Sequence, residues 1–580
     1  MLSSRRFGRI VAVLLALVLV ASACGGGDDG GSTDSSGSDT TAAPTDGGDD
    51  DVATDDGVDE TADGSDAVTS EDVEAKAGGT LRIGMQTEAG SLNPTNTGLN
   101  RGPIMLATAV FDTLTLVDAN GDWQNNLTES WTPSDDLSSW DATLRDGITF
   151  TDGNVMNADA VIRTIEAFLA DPLTSLVFKP AFDPDNPIEK VDEMTFRINA
   201  SGPSSAMPFY FSTQLGMIGS PAWLDARDAD PGLDQTPIGS GPFLISERTQ
   251  DQKTVVVRNE NWWRTDQEIF LDSIEFFPNS QDASRTDQFL VGDLDITHGT
   301  DAESIIRLRE ETGFTRVEDQ SGEEFNILMN AEQPPFDDIR VRQAATHAFP
   351  KAQYMDFINE GTSLEADTLF SIDTPWHVPS IEQPDDMPEL SGPLIESYCG
   401  DNPDNCTDGK VNIEYQHDGP SLALERIATL VTDAWSPFFN VEVQVIPNDA
   451  HINEVIFGLY DSATWRYHGF PDPDIDSAFL TCSTITALSI NWSRNCNEER
   501  DALFLEQRST EDFDERYAIW AEIQENLRDS YQYITITHTN WMVAANETVG
   551  GLCDGTAPGG APLPCQDKGV VYLPQLFMNN

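Results

Sequence analysis

The chain has 580 residues, with 32 Lys+Arg against 99 Asp+Glu and a formal net charge of −67. At about 100–200 residues per domain it is too long for one core, and 39% hydrophobic residues, including 12 Trp and 28 Phe, exclude a disordered acidic chain. Acids outnumber bases threefold, which excludes a nucleic-acid binder and disfavours docking on anionic lipid through a basic patch.

Arg5, Arg6 and Arg9 precede an apolar run from Ile10 to Ala21 that closes with Ser22, Ala23 and Cys24. A basic start, a short apolar stretch and small residues form an export signal, and the run falls short of the ~20 residues a membrane span needs. The end of the run resembles the bacterial lipoprotein signal, although Ala21 stands where Leu is usual. Residues 1–24 are therefore expected to be a lipoprotein signal peptide whose Cys24 carries the lipid. Residues 25–78 hold 17 acids against Lys76 alone, in a background of Gly, Ser, Thr and Ala. Too little apolar surface lies there to offset chain entropy, so the segment reads as a disordered acidic tether reaching on the order of 40 Å.

The body begins with a strand over 79–85, Leu81 and Ile83 alternating along it. Residues 107–116 lead to a turn at Asp118–Gly121. A short strand is expected over 144–150, and a helix over 157–169 turns Ala160, Val161, Ile165 and Phe168 inward. Strands follow at 195–199 and 254–258, a helix at 284–292 and a buried strand from Leu294. Further on come helices at 340–349, 422–435 and 514–529, and strands at 412–416, 441–446 and 533–538. Gly147, Gly153, Gly239 and Gly241 are expected at turns needing positive φ. This order of mixed elements indicates α/β lobes without a repeat.

Beyond Cys24 the cysteines fall in three local pairs: Cys399 and Cys406, Cys482 and Cys496, Cys553 and Cys565. An even number in an exported protein reads as disulfides, and of the possible connectivities neighbour pairing is the expectation. The seven His are scattered, so no dedicated metal site is expected. Asp118 to Glu129 has the length of a calcium loop but puts Trp123 where the turn needs Gly, and Asp472 to Ser483 lacks the closing acid. No nucleophile elbow, zinc-protease motif, P-loop or dinucleotide fingerprint occurs, which speaks against an enzyme.

Several blocks occur in one order: Ser91 to Pro94, Val110 to Thr115, Leu127 to Trp131, Leu144 to Gly153 with Asn157 to Val161, and Pro237 to Phe243. Arg258 to Trp263, Asn330 with Pro335 to Ala344, Gly361, and Asp472 to Asp474 before Arg516 and Tyr517 complete the series. Together they resemble the family 5 solute-binding proteins of ABC importers, the oligopeptide-, dipeptide- and nickel-binding group, over nearly all of 79–580. The resemblance implies an α/β clam of two periplasmic-binding-protein-like lobes (type II) with mixed sheets and an extra subdomain. Lobe one would comprise 79–325 and 538–580 with an insert at about 115–205, and lobe two 326–537. Ligand would lie between the lobes and be buried by closure.

On that resemblance the cleft residues from lobe one are Glu88, Ala89 and Ser91. Those from lobe two are Trp465, Tyr467, His468 and Phe470. Peptide-binding relatives place an Asp for the ligand ammonium where this chain reads Tyr467, His468 or Gly469, and an Arg for the carboxylate where it reads Gln416 to Gly419. Both zwitterion anchors are missing, which favours a longer or non-zwitterionic peptide-like solute held by backbone pairing and aromatic walls. Cys482 and Cys496 match a disulfide of dipeptide-type relatives. Trp262 and Trp263 read as packing.

The expected function is capture of a peptide-like solute by a lipid-anchored, monomeric, extracytoplasmic binding protein without cofactor or metal, which delivers it to an ABC permease and ATPase. A sugar or metal-chelate binder and a sensory receptor on the same fold are the alternatives. A secreted hydrolase is more remote.

Overall fold

The computed structural model describes residues 75–99, 101–466 and 469–579. The signal peptide, Cys24, nearly all of the tether, Tyr467 and His468 lie outside the described residues. Residues 66–580 form one compact unit. Among the described residues no helix is long and apolar enough to cross a membrane.

Two seven-stranded sheets organise this unit. In the first, Thr80–Met85 runs parallel to Ser273–Pro278 on one side and to Ile296–Gly299 on the other. Lys253–Arg258 and Phe243–Thr249 extend one edge antiparallel, and Trp541–Asn546 and Phe314–Asp319 the other. Leu81, Ile83, Ile274, Phe276 and Val543 build its core with the Arg101–Val110 helix. The second sheet runs Leu364–Glu365, Tyr533–His538, Glu324–Met329, Ser462–Arg466, Lys410–Asp418 and Cys406–Thr407, with Phe439–Ile446 beside Lys410–Asp418. It is covered on both faces, Ile327 and Met329 pointing to one core and Leu328 to the other.

A four-stranded antiparallel sheet, Thr128–Pro133, Ser139–Leu144, Thr195–Asn199 and Ile188–Lys190, forms the extra subdomain. Its core takes in Ile475, which the chain contributes from the second half of the molecule. The strand expected over 144–150 lies earlier, at Ser139–Leu144. The residues after it turn, because Gly147 and Gly153 take φ of 82° and 86° and reverse the chain. Gly239 and Gly241 do not adopt positive φ. Their lack of a side chain serves close approach instead, since a Cβ on Gly239 would stand 2.2 Å from the Val110 carbonyl oxygen.

Local chemistry sets the helix starts. Asn157 caps Ala158–Ala170 by accepting from the Ala160 N–H, and Asp338 and Asp512 do the same for Ile339–His347 and Phe513–Ser530. All three neighbour disulfides are formed: Cys399–Cys406, Cys482–Cys496 and Cys553–Cys565. Trp262 and Trp263 pack as expected, both indole N–H groups donating to the buried Asp112 at 3.3 and 2.8 Å. Asp118 accepts from the backbone of Asn120 and Asp122 and from the Gln124 side chain, which makes it a turn residue.

Candidate functional site

The chain passes from the first sheet to the second between Asp319 and Glu324, and returns between His538 and Trp541. Charged side chains converge where these crossovers meet. Glu323 adopts φ of 61°, a left-handed conformation that a non-glycine residue keeps only when its surroundings fix it. Its carboxylate accepts from Arg101 Nε at 3.0 Å and from Trp541 Nε1 at 2.9 Å, and Arg466 stands 3.7 Å away. Lys568 pairs with Asp567 at 2.8 Å and folds over Gly322, whose absent Cβ would lie 2.4 Å from the lysine Cε. Gly469 touches the same crossover, since a Cβ there would stand 2.8 Å from Gly322 Cα. Glycine is therefore required on both sides of this contact.

The face of the second sheet above the crossover is more unusual. Successive side chains of a strand alternate, so Glu324 and Asn326 share a face with Leu328. That face packs toward Phe479, Trp492 and Trp465. Glu324 is 2% exposed and Asn326 1%. Among the described residues neither Glu324 Oε2 nor Asn326 Oδ1 has a hydrogen-bond partner, and Trp465 Nε1, on the strand paired with Asn326, has none either. Asp476 faces them, 4% exposed, and accepts from the Phe470 N–H. Burial, against which a hydrogen bond from its own backbone is too weak, pushes the Glu324 carboxyl up to about 8. Burial and the nearby Glu324 raise Asp476 well above the carboxylate range.

Aromatic rings border this face in sequence. Phe470 contacts Phe178 of the subdomain edge to face at 6.1 Å and stacks on Phe479 at 6.0 Å. Phe479 meets Trp492 at 5.6 Å, and Trp492 meets Trp465 at 5.2 Å.

One helical turn away every polar group is matched. Arg516 grips Asp472 with two bonds of 2.7 and 2.5 Å and donates to Gln507 at 2.9 Å. Gln507 and Arg508 donate to Asp474 Oδ1 at 2.5 and 2.6 Å, and the Tyr210 hydroxyl of the subdomain donates to Asp474 Oδ2 at 2.9 Å. Burial opposes ionisation of Asp474, but Arg508 and Arg516 together outweigh it and hold the carboxyl below its ordinary range. The family's Asp472 to Asp474 and Arg516 signature is thus a structural clasp between subdomain and second lobe.

The sequence-nominated residues divide in the same way. Glu88 accepts from Arg248 and from the Ala89 N–H, both at 2.9 Å, and Asp251 N–H adds a third bond at 3.2 Å. Ala89 is buried, and Ser91 Oγ accepts from the Asn93 N–H at 3.1 Å. These three residues are engaged within their own lobe. Trp465 and Phe470 border the face that holds Glu324. Arg101, Glu323, Glu324, Asn326, Asp476 and Lys568 escaped the sequence reading. Two acids opening the apolar strand Phe325–Met329 were the available signal for Glu323 and Glu324.

The sequence profile of bacterial extracellular solute-binding proteins, family 5 Middle, matches residues 122–486. The nickel-binding periplasmic protein of Escherichia coli K12 is 24% identical over 502 residues, covering 83% of this chain and 93% of that protein. The probable D,D-dipeptide-binding periplasmic protein DdpA of the same strain is 24% identical over 459 residues, covering 74% and 82%. Among solved structures, the periplasmic binding protein DppA of Helicobacter pylori in complex with the peptide STSA superposes with a TM-score of 0.75 at 16% identity, over 87% of this chain and 99% of that one.

Proposed function

The chain belongs to the bacterial extracellular solute-binding proteins of family 5, which are binding proteins of ABC importers and not enzymes, and we propose that it captures a peptide-like solute between its lobes and delivers it to a membrane permease. The observation that carries this reading is the paired crossover at Glu323. Two sheet-centred lobes are joined there by two short segments, and the strand that carries Glu324 and Asn326 begins directly after the first of them. Closure would bury solute against that face, and differential affinity for the closed form is the mechanism.

Strand membership supports a choice of lobe limits. We place lobe one at 79–323 with 541–580 and lobe two at 324–538, because Glu324, Phe325 and His538 already pair in the second sheet. The subdomain core extends to Leu215 and Ile218, beyond the 205 expected from sequence. Trp465 and Phe470 are the wall residues, with Tyr467 and His468 assigned to the same segment. Glu88, Ala89 and Ser91 shape the opposite rim through the bonds they make inside lobe one. The protein acts outside the cytoplasm, held to the membrane as a monomer through lipid on Cys24.

Native mass spectrometry of the purified body with its retained solute tests the peptide assignment. A peptide-like mass is expected. A retained metal chelate or sugar, together with no binding from a peptide library, would overturn it. The metal chelate is the second reading, favoured by the nickel-binding relative that covers most of the chain. Release of the protein from the membrane fraction on Cys24→Ala tests the anchor.

A further inference from the structure

Glu324 Oε2 and Asn326 Oδ1 are buried acceptors that no described residue matches. A buried carboxyl oxygen without a partner is costly in general, and an unmet amide oxygen beside it adds to that cost. Native proteins leave such atoms unmatched where something else supplies the partner. Here two unmatched acceptors leave one strand on one face, two residues apart. The Asn326 side-chain amide donates to the Glu324 backbone carbonyl at 3.2 Å, which leaves its Oδ1 as the unmatched atom.

The missing partner is a donor and a cation. Acceptors dominate the cluster: Glu324 Oε2, Asn326 Oδ1 and the Asp476 carboxyl. Among the described residues the charged and titratable groups around Glu324 are Glu323, Asp476, Lys568 and Tyr533. Of these only Lys568 is positive, and its ammonium is bonded to Asp567. Glu323 is already bridged by Arg101. The border is aromatic, with Trp465 against Trp492 and Phe470 against Phe479, and aromatic rings attract an ammonium or guanidinium more than a hydrated metal ion.

We propose that Glu324 and Asn326, with Asp476 opposite, form a subsite for an organic cation of the bound solute, a primary ammonium or a guanidinium, enclosed when the lobes close. This rests on the solute-capture reading above and names the chemical class that reading leaves open. The solute's N–H donors complete the acceptors of the second lobe, and its charge keeps the Glu324 carboxyl ionised.

The test uses the full body and two tetrapeptide libraries. One is unmodified, and the other is N-acetylated and lacks Lys and Arg. Agmatine and spermidine serve as peptide-free probes. The wild type is expected to retain the unmodified library at least about tenfold more strongly, with Glu324→Gln and Asp476→Asn both losing that preference. Circular dichroism identifies any variant that fails to fold, and the other variant then carries the comparison. Equal retention of the two libraries by the wild type, or a preference that survives in the folded variants, overturns the cation subsite and leaves peptide capture standing. Glu324-dependent binding of agmatine or spermidine with neither library retained supports the subsite and overturns the peptide reading. Binding of neither libraries nor amines overturns both. A melting-temperature rise with calcium or potassium ions alone, lost in Glu324→Gln, replaces the organic cation with an inorganic one and overturns the proposal.

Discussion

Two acidic clusters flank the same short helix, Pro473–Asp476, and they could hardly differ more in their bonding. On one side Asp472 and Asp474 meet Arg516, Arg508, Gln507 and Tyr210. On the other Asp476 lies near Glu324, whose Oε2, like Asn326 Oδ1, has no hydrogen-bond partner among the described residues. The acids of both clusters are buried alike. What separates a structural clasp from a candidate binding face is whether the donors and acceptors balance. The sequence motif marks the balanced cluster, and the unbalanced one carries the functional interest.

Breaking the balanced side gives the largest expected effect. Arg516→Met leaves Asp472 buried and unpaired and is expected to cost about 3–5 kcal/mol, read from urea unfolding. Solute affinity of the surviving folded fraction should change little, because the clasp lies behind the wall. A loss of affinity without a loss of stability would erase the distinction between the clusters.

The unbalanced side responds to pH. The folded Glu324 carboxyl sits at about 8 against an ordinary 4.5, so between these values the folded state keeps a proton that the unfolded chain has lost. Its contribution is fully present below the ordinary value and is lost as pH rises through about 8. Glu324→Gln should therefore flatten the decline in stability across that window, gaining on the order of 2–4 kcal/mol at its alkaline end relative to the wild type. Thermal melts from pH 5 to pH 9 measure this, and parallel curves for the two proteins would refute it. His298 works in the opposite direction. Burial and Arg285 lower it to about 4, so its contribution is present above its ordinary value of 6.5 and fades as pH falls toward 4. The acid limb should thus persist in Glu324→Gln.

Smaller effects sharpen the contrast. Trp465→Leu removes an aromatic wall at the edge of the second core and is expected to weaken solute binding about tenfold, or ~1.4 kcal/mol, by calorimetry. Glu88→Gln is the mildest. Its carboxylate serves Arg248 and two backbone N–H groups, so affinity should stay within about twofold while the melting temperature falls slightly. A large loss of affinity in Glu88→Gln would return this residue to the cleft wall.

Much of the framework was legible in the sequence because it depends on local rules. The strands expected at 195–199 and 533–538 form as Thr195–Asn199 and Tyr533–His538, and the helix expected at 422–435 forms as Leu422–Trp435. Neighbouring cysteines paired because short loops cost little to close. The strand near Leu144 was misplaced because apolar Ile148 and Phe150 are buried without being extended, the glycines at 147 and 153 setting the turn. Trp541–Asn546 went unread for another reason. Its residues are buried throughout, so no alternation marks it.

The sequence alone determined the family and the two-lobed class, since composition and block order are properties of residues in a line. Tertiary structure decided which of the many acids have counterparts. Asp476 lies far along the chain from Glu324 and Asn326, and Arg101 reaches Glu323 across 222 positions. Whether a buried carboxylate is matched depends on what folding brings within hydrogen-bond distance, and no one-dimensional pattern encodes that.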